Sequence, residues 1–352
     1  MNPRNLLVFF AFFIATASSA QLSPGDVTTP RESQKASVMQ RIGITDITVN
    51  YHRPGVKGRK IWGELVPFDD GKPIPWRAGA NENTTISFTH DVSIEGKLLP
   101  AGTYGLHTIP SVNDWTIIFS KNSTSWGSYS YKESEDALRV TVKSRAGEFR
   151  EDLIYTFENL KPESATLQFA WENVQVPINI SVDVKKIVVE NIRKELRGNI
   201  GFSWVGYNAA AWFCYENDTN LEEALKWADQ SIAREARYEN LDTKGQILIK
   251  LGRKVQGDSV MRESLEHATP ATLYALGRQM LMEKKITDAK EIFDINTKKN
   301  PKHWTSFAGM ARYFEASGDK DKAIKQVKKA KEVAPEQIQP GLDALIKEWS
   351  GS

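Results

Sequence analysis

Cysteine is almost absent. Among 352 residues the single thiol is Cys214, so no disulfide can form within the chain. The fold has to hold by its core, which a chain of this length can bury. Cys214 sits in the apolar run Ala209-Ala210-Ala211-Trp212-Phe213-Cys214, where a buried structural thiol is expected rather than a reactive one. Histidine is scarce as well. His52, His90, His107, His267 and His303 stand in no tight ligand spacing, so no local metal site and no cofactor is expected. The nucleophile turn Gly-x-Ser-x-Gly is missing, and so is the phosphate loop Gly-x-x-x-x-Gly-Lys-Ser/Thr. Charge of one sign is also lacking. A formal net charge of +2 argues against a nucleic-acid binder by bulk charge. Beyond the first twenty residues no apolar run approaches the roughly 20 residues that span a bilayer.

The one long apolar run lies at the start. Arg4 precedes Leu6-Leu7-Val8-Phe9-Phe10-Ala11-Phe12-Phe13-Ile14-Ala15, and Ser18-Ser19-Ala20 follows. A cation, a short apolar stretch and small residues at a cleavage site make a secretory signal over residues 1–20, with Gln21 as the mature start. An uncleaved anchor is the plainer alternative. An exported protein, periplasmic or at the cell surface, is expected.

After Gln21 comes a Pro/Ser/Thr-rich arm, and then the pattern has period two. Ile47, Val49 and Tyr51 alternate with polar neighbours, as do Ile86 and Phe88, Tyr104 and Leu106, and Trp115, Ile117 and Phe119. The sets Leu138/Val140/Val142, Leu153/Tyr155/Phe157, Leu167/Phe169/Trp171 and Val174 to Val184 follow. Alternation means strands with one buried face. Nine or ten short strands separated by turn signals predict an antiparallel β-sandwich or jelly-roll-like domain over residues 21–186.

Near Lys185 the period changes, and from Ser203 the chain reads as helices of about 12–15 residues. Leu276, Gly277, Ala289, Phe293 and Pro301 return, shifted by about 34 residues, as Met310, Ala311, Ala323, Val327 and Pro335. Tyr207 and Leu221-Glu222-Glu223-Ala224 mark an earlier copy, and the spacing drifts between Gly252 and Pro270. Small residues where paired helices touch, with proline closing the unit, predict an α-helical tetratricopeptide-like array over residues 187–352. A protein partner is expected to dock through residues 203–349. The lysines 322, 325, 328, 329 and 331 read as a solvated helix face.

Two stretches carry the candidate chemistry. In Tyr51-His52-Arg53-Pro54-Gly55-Val56-Lys57-Gly58-Arg59-Lys60-Ile61-Trp62-Gly63 cations lie between glycines, with no acid from Ile47 to Gly63. Arg53, Lys57 and Arg59 could hold a carboxylate, sulfate or phosphate, since guanidinium presents paired donors to such groups. The bland reading is a structural loop whose cations pair with Glu64, Asp69 or Asp70. In the second stretch Trp76, Arg77 and Asn81 could stack on a sugar ring and bond its hydroxyls. Against this, Trp76 would plug the sandwich and Asn81 would cap a turn. Trp126-Gly127, with Tyr129 and Tyr131, could extend the same surface. An alternative acid–base set is His52, His107 and Glu82, with or without a metal, though a lone strand histidine is more often structural.

Taken together, Tyr51-His52-Arg53-Pro54, Val56-Lys57-Gly58-Arg59, Gly63-Glu64-Leu65-Val66-Pro67, Trp76-Arg77-Ala78-Gly79-Ala80-Asn81 and Ala101-Gly102-Thr103-Tyr104-Gly105-Leu106 occur in order. With Trp115 and Trp126-Gly127 they resemble the bacterial domain-of-unknown-function 2911 family over about residues 25–180. That resemblance implies an exported β domain with a helical repeat tail, and it brings no catalytic residue. The expectation is a binding module for a small anionic or carbohydrate ligand, without a recognisable catalytic set. A hydrolase built on His52, His107 and Glu82 and a structural envelope scaffold are the alternatives.

Overall fold

The computed structural model describes residues 29–68 and 73–351. The signal segment expected at residues 1–20 lies outside them, as do Asp69 and Asp70. Two compact units divide between Val182 and Asp183, four residues before the boundary read from the sequence.

The first unit holds ten strands: β1 (Gln34–Ile42), β2 (Thr45–Arg53), β3 (Thr85–Phe88), β4 (Val92–Ile94), β5 (Lys97–Leu99), β6 (Gly102–Ile109), β7 (Asp114–Ser120), β8 (Asp136–Lys143), β9 (Arg145–Lys161) and β10 (Ser164–Ser181). They form a six-stranded sheet, β1-β2-β3-β6-β7-β8, and a four-stranded sheet, β5-β4-β10-β9. Every pairing between these strands is antiparallel. The alternation in β2 buries Ile47, Val49 and Tyr51, and the register carries the same face through Ile86, Leu106 and Ile117. Leu153, Tyr155, Leu167 and Phe169 of the second sheet are equally buried. The Tyr51 and Tyr155 rings meet edge to face at 4.8 Å, and the Tyr51 hydroxyl accepts from the Tyr155 amide at 3.2 Å. The result is an antiparallel sandwich, in which each fully buried large apolar side chain contributes about 1.5–3 kcal/mol.

One correction concerns β10. The sets Leu167–Trp171 and Val174–Val184 read as two strands; β10 joins the first to the second as far as Ile180, and Val184 opens the helix that follows. At Glu172, with φ 53°, the pairing with β9 slips. Across the bulge the large buried apolar positions change from odd (Leu167, Phe169, Trp171) to even (Val176, Ile178, Ile180), while Thr166, Gln168 and Ala170 are buried as well. An inserted residue reverses the side-chain parity without ending the strand.

The second unit is helical: α1 (Val184–Glu195), α2 (Trp204–Glu216), α3 (Leu221–Arg234), α4 (Tyr238–Lys250), α5 (Lys254–His267), α6 (Pro270–Met282), α7 (Ile286–Lys299), α8 (Trp304–Ala316), α9 (Lys320–Val333) and α10 (Gln339–Ser350). Helices pair as α2/α3, α4/α5, α6/α7 and α8/α9, with α10 on α9. Where the sequence spacing drifted, α4/α5 forms a full pair. Glycine sets the close approach. A Cβ on Gly277 would lie 2.2 Å from the Phe293 ring, and one on Gly309 would lie 2.4 Å from the same ring. Gly245 meets Met261 in the same way, at 2.3 Å. A small residue on the first helix thus receives a large one from the second, and the pairs stack into a tetratricopeptide-like array. Cys214 is buried with Ala211, Ala228 and Ile247, and burial pushes its thiol up to about 11.

Candidate functional site

The connection from β2 to β3, residues 54–84, builds the site. Its described residues form no regular strand, yet the backbone is pinned at three places. Gly55 bridges Asp152, with the Val56 amide donating to Glu151 O at 2.8 Å and the Leu153 amide to Pro54 O at 3.1 Å. Ile61 to Val66 closes on itself, the Val66 amide donating to Ile61 O at 2.9 Å. Trp76 bridges Thr108 through bonds of 2.7 and 2.8 Å. Lys57 (φ 48°) and Gly58 (φ 66°) make the left-handed step between the first two.

The indoles lock this frame. Trp62 stands edge-on to Trp115 at 5.2 Å, to Trp171 at 5.9 Å and to Trp76 at 6.2 Å. Trp76 stacks on Trp171 at 5.9 Å with planes 16° apart, and touches Phe169 at 6.0 Å. Each such pair is worth about 0.5–1.5 kcal/mol beyond its burial. Trp76 therefore does plug the end of the sandwich, and it also presents a face to the outside.

That face lines a cavity of about 570 Å³, in the range that holds a small organic ligand. Trp76, Trp171, Leu65, Val66, Ile74 and the prolines 54, 67 and 75 make its apolar wall, and Lys57, Arg59, Arg77 and Tyr129 its polar one. Lys57 pairs with Glu32, whose carboxyl that hydrogen bond and charge hold below its usual range. Arg59 donates from Nη2 to Gly55 O at 2.5 Å and from Nε to Val56 O at 3.2 Å. Arg77 donates from Nη1 to Asn81 O at 2.9 Å and lies over the Tyr129 ring at 5.9 Å. Among the described residues neither guanidinium has a carboxylate in ion-pair range. Backbone carbonyls orient both, and the Glu32 carboxylate, which also lines the cavity, feels the charge of Arg59.

Of the six residues put forward for ligand binding, Lys57, Arg59, Trp76 and Arg77 line the cavity. Arg53 does not. Its Nε donates to Leu153 O at 3.0 Å and ties the loop to β9. Asn81 does not either. It is a turn residue at φ 58°, and its Nδ2 donates to Ser33 O at 3.0 Å, bracing the wall from behind. Lys60 pairs with Glu64 at 3.3 Å on the surface.

The acid–base set is only partly assembled. His52 Nε2 lies 3.1 Å from Glu82 Oε2, and Glu82 also pairs with Arg31 at 2.8 Å. Burial draws the His52 ring below its usual range, against the pull of Glu82. His107 lies apart from this pair. Asn50 pairs with Thr85 and Thr85 with Gly105, so the same register sets His52, Asn83 and His107 on one rung. His107 is then two strands from His52, roughly 10 Å at the spacing of adjacent strands. Its Nδ1 is 2.8 Å from Ser128 Oγ, and the Tyr131 ring stands edge-on at 5.4 Å. Tyr131 in turn donates to Asp136 at 2.7 Å, and burial pushes its hydroxyl up to about 12. Among the described residues no three His, Cys, Asp or Glu side chains are grouped to hold a metal ion.

Two cavity residues had little sequence signal. Trp171 was legible only as a strand residue, the last of an alternating set. Ser128 sits unmarked in a Ser/Tyr/Gly-rich loop, where Gly127 (φ 60°) was the sole hint of a constrained turn.

Residues 33–180 match the family model described as Protein of unknown function (DUF2911). The first unit thus carries a domain of that family, as its ordered motifs imply. No curated protein matches the chain. Solved tetratricopeptide structures match the helical region. YrrB, described as a TPR protein with an unusual peptide-binding site, is 15% identical over 44% of this chain and 80% of its own, with a TM-score of 0.26. PilW, described as a type IV pilus biogenesis factor, is 15% identical over 48% of this chain and 79% of its own, with a TM-score of 0.29. A repeat protein from Cytophaga hutchinsonii is 16% identical over 43% and 60%, also at 0.29. At these scores the likeness carries no functional argument, and the repeat architecture rests on the helix pairing itself.

Proposed function

We propose that the β-sandwich unit is a binding domain for a small organic anion with a flat apolar or sugar-ring face, and that the helical unit docks a protein partner. One observation carries the first part. Arg59 and Arg77 line the same cavity as the stacked Trp76 and Trp171, without a carboxylate partner among the described residues. A carboxylate on the ligand would give these guanidiniums a charge-assisted partner, and the indole face would cover the ring. Acidic sugars satisfy both demands. The second part draws on the stacked helix pairs, an architecture whose exposed helix faces suit peptide segments. The leader-like N-terminus supports action in the periplasm or at the cell surface, and fractionation of cells making the tagged protein tests it: recovery of the unprocessed chain in the cytoplasm would contradict export.

Titration calorimetry against aromatic carboxylates and sugar acids tests the cavity. A ligand that binds the natural chain should lose at least tenfold in affinity on Arg59→Ala, about the 1.4 kcal/mol or more expected for a charge-assisted hydrogen bond. If Arg59→Ala lowers the melting temperature and leaves every titration unchanged, the loop is a brace and the scaffold reading replaces this one.

A further inference from the structure

The loop between β7 and β8 turns a serine toward the cavity. Ser128 is half-buried among the cavity-lining residues, and its Oγ lies 2.8 Å from His107 Nδ1. We propose that Ser128 is a nucleophile, with His107 as its general base, for acyl transfer from an ester of a small organic acid bound in this cavity. The ester carries a second, free carboxylate that the anion-binding wall described above holds, so substrate selection rests on that reading.

Three features separate this pair from an ordinary structural hydrogen bond. First, His107 is 1% exposed, and burial lowers its pKa to about 4. The ring is therefore neutral at physiological pH, and with its proton on Nε2 it accepts the Ser128 hydroxyl at Nδ1. That bond uses the hydroxyl proton and leaves the oxygen lone pairs free. Second, the turn that presents Ser128 brings a cation next to it. A Cβ on Gly127 would lie 2.5 Å from Arg77 Nη1 and 3.2 Å from Arg77 Cζ, so the guanidinium packs directly on the residue before the serine. An oxyanion formed at a carbonyl beside Ser128 would have this positive charge as its neighbour. Third, the base is held in place. The Tyr131 ring packs on it edge-on, and the Asp136 carboxylate, bonded to Tyr131 and Arg139, favours its protonated form.

The reaction balances with water as the co-reactant. Ser128 Oγ attacks the ester carbonyl carbon, and its proton passes to His107 Nδ1. The carbonyl electron pair moves to the oxygen beside Arg77. Collapse of the tetrahedral species breaks the carbon–oxygen bond to the alcohol, which leaves with the proton from His107. Water then attacks the acyl-serine, giving its proton to the same nitrogen. The second collapse releases the acid, and Ser128 Oγ regains its proton.

An alkyl fluorophosphonate on the full-length chain tests this, read by intact mass and peptide mapping. One adduct is expected on Ser128. It should vanish in Ser128→Ala, and labelling should slow about a hundredfold or more in His107→Gln. If His107→Gln does not fold, the pH profile of the natural chain decides. Labelling that follows a single group titrating near pH 4 supports the pair, and a rate rising only in alkali contradicts it. The proposal is overturned if Ser128 stays unlabelled, or if the neighbouring Ser130 labels equally fast. Anion titration of the natural chain reports separately on the cavity: an anion that binds while Ser128 is never labelled removes the nucleophile and leaves the binding reading intact.

Discussion

At the level of single residues, environment decides what the sequence leaves open. Residue types at the β2–β3 connection pointed to anion chemistry, and four of the six candidates line one cavity. Arg53 and Asn81 are the same kinds of residue, yet their donors go to Leu153 O and Ser33 O across the fold. Those partners are distant in sequence, so composition could not separate wall from brace. Ser128 was invisible for the converse reason, since a serine gains meaning only from the histidine beside it. The buried rung gives an expected pH dependence. Unfolded His107 takes a proton near pH 6.5 and folded His107 only near pH 4, so between these values the unfolded state binds more protons. Stability should be level above about pH 6.5 and fall as the pH drops toward 4, by on the order of 3 kcal/mol from this group. Urea melts of the natural chain and of His107→Gln across that range check it, with the difference between the two shrinking as pH falls. Gly105 adds a steric expectation. A Cβ there would lie 2.5 Å from Asn122 O and from Asn83 Nδ2, so Gly105→Ala should cost about 1–3 kcal/mol, measured by the same melts.

For whole elements, periodicity was a reliable guide where one face is buried and a poor one elsewhere. Strands β2 and β3 alternate because their other face is polar or half-buried, whereas β6 and β7 bury side chains on both faces, Ile118 among them. Strand β1 passed unnoticed: its side chains are exposed or half-buried almost throughout, so no apolar pattern marks it, and its pairing with β2 defines it instead. In the helical unit the last two pairs stood out because Gly277 and Ala311 sit opposite Phe293 and Val327 in step. The α4/α5 pair was obscured because its contact residues, Gly245 and Met261, match that pattern only in size. Phe293 is fully buried against two glycines that cannot move toward it. Phe293→Ala should therefore leave an uncollapsed cavity and destabilise the helical unit by about 3–5 kcal/mol, read by thermal unfolding followed at 222 nm.

For the molecule as a whole, the change of period near Lys185 corresponds to a real division, Val182/Asp183. Each unit carries its own buried core, so residues 29–182 and 183–352 made separately should each unfold cooperatively; an unfolded product in either case would contradict the division. The function assigned to the first unit depends on one arrangement: two indoles and two guanidiniums around a single cavity, a feature legible in residue type but not in geometry. The most direct test of that arrangement is ligand titration of the natural chain beside Trp76→Ala and Arg59→Ala, using a panel of ring-bearing carboxylates and sugar acids. Saturable one-to-one binding of at least one compound, weakened tenfold or more by each substitution, is the expected result. No binding across the panel, or equal binding by all three proteins, would contradict the assignment.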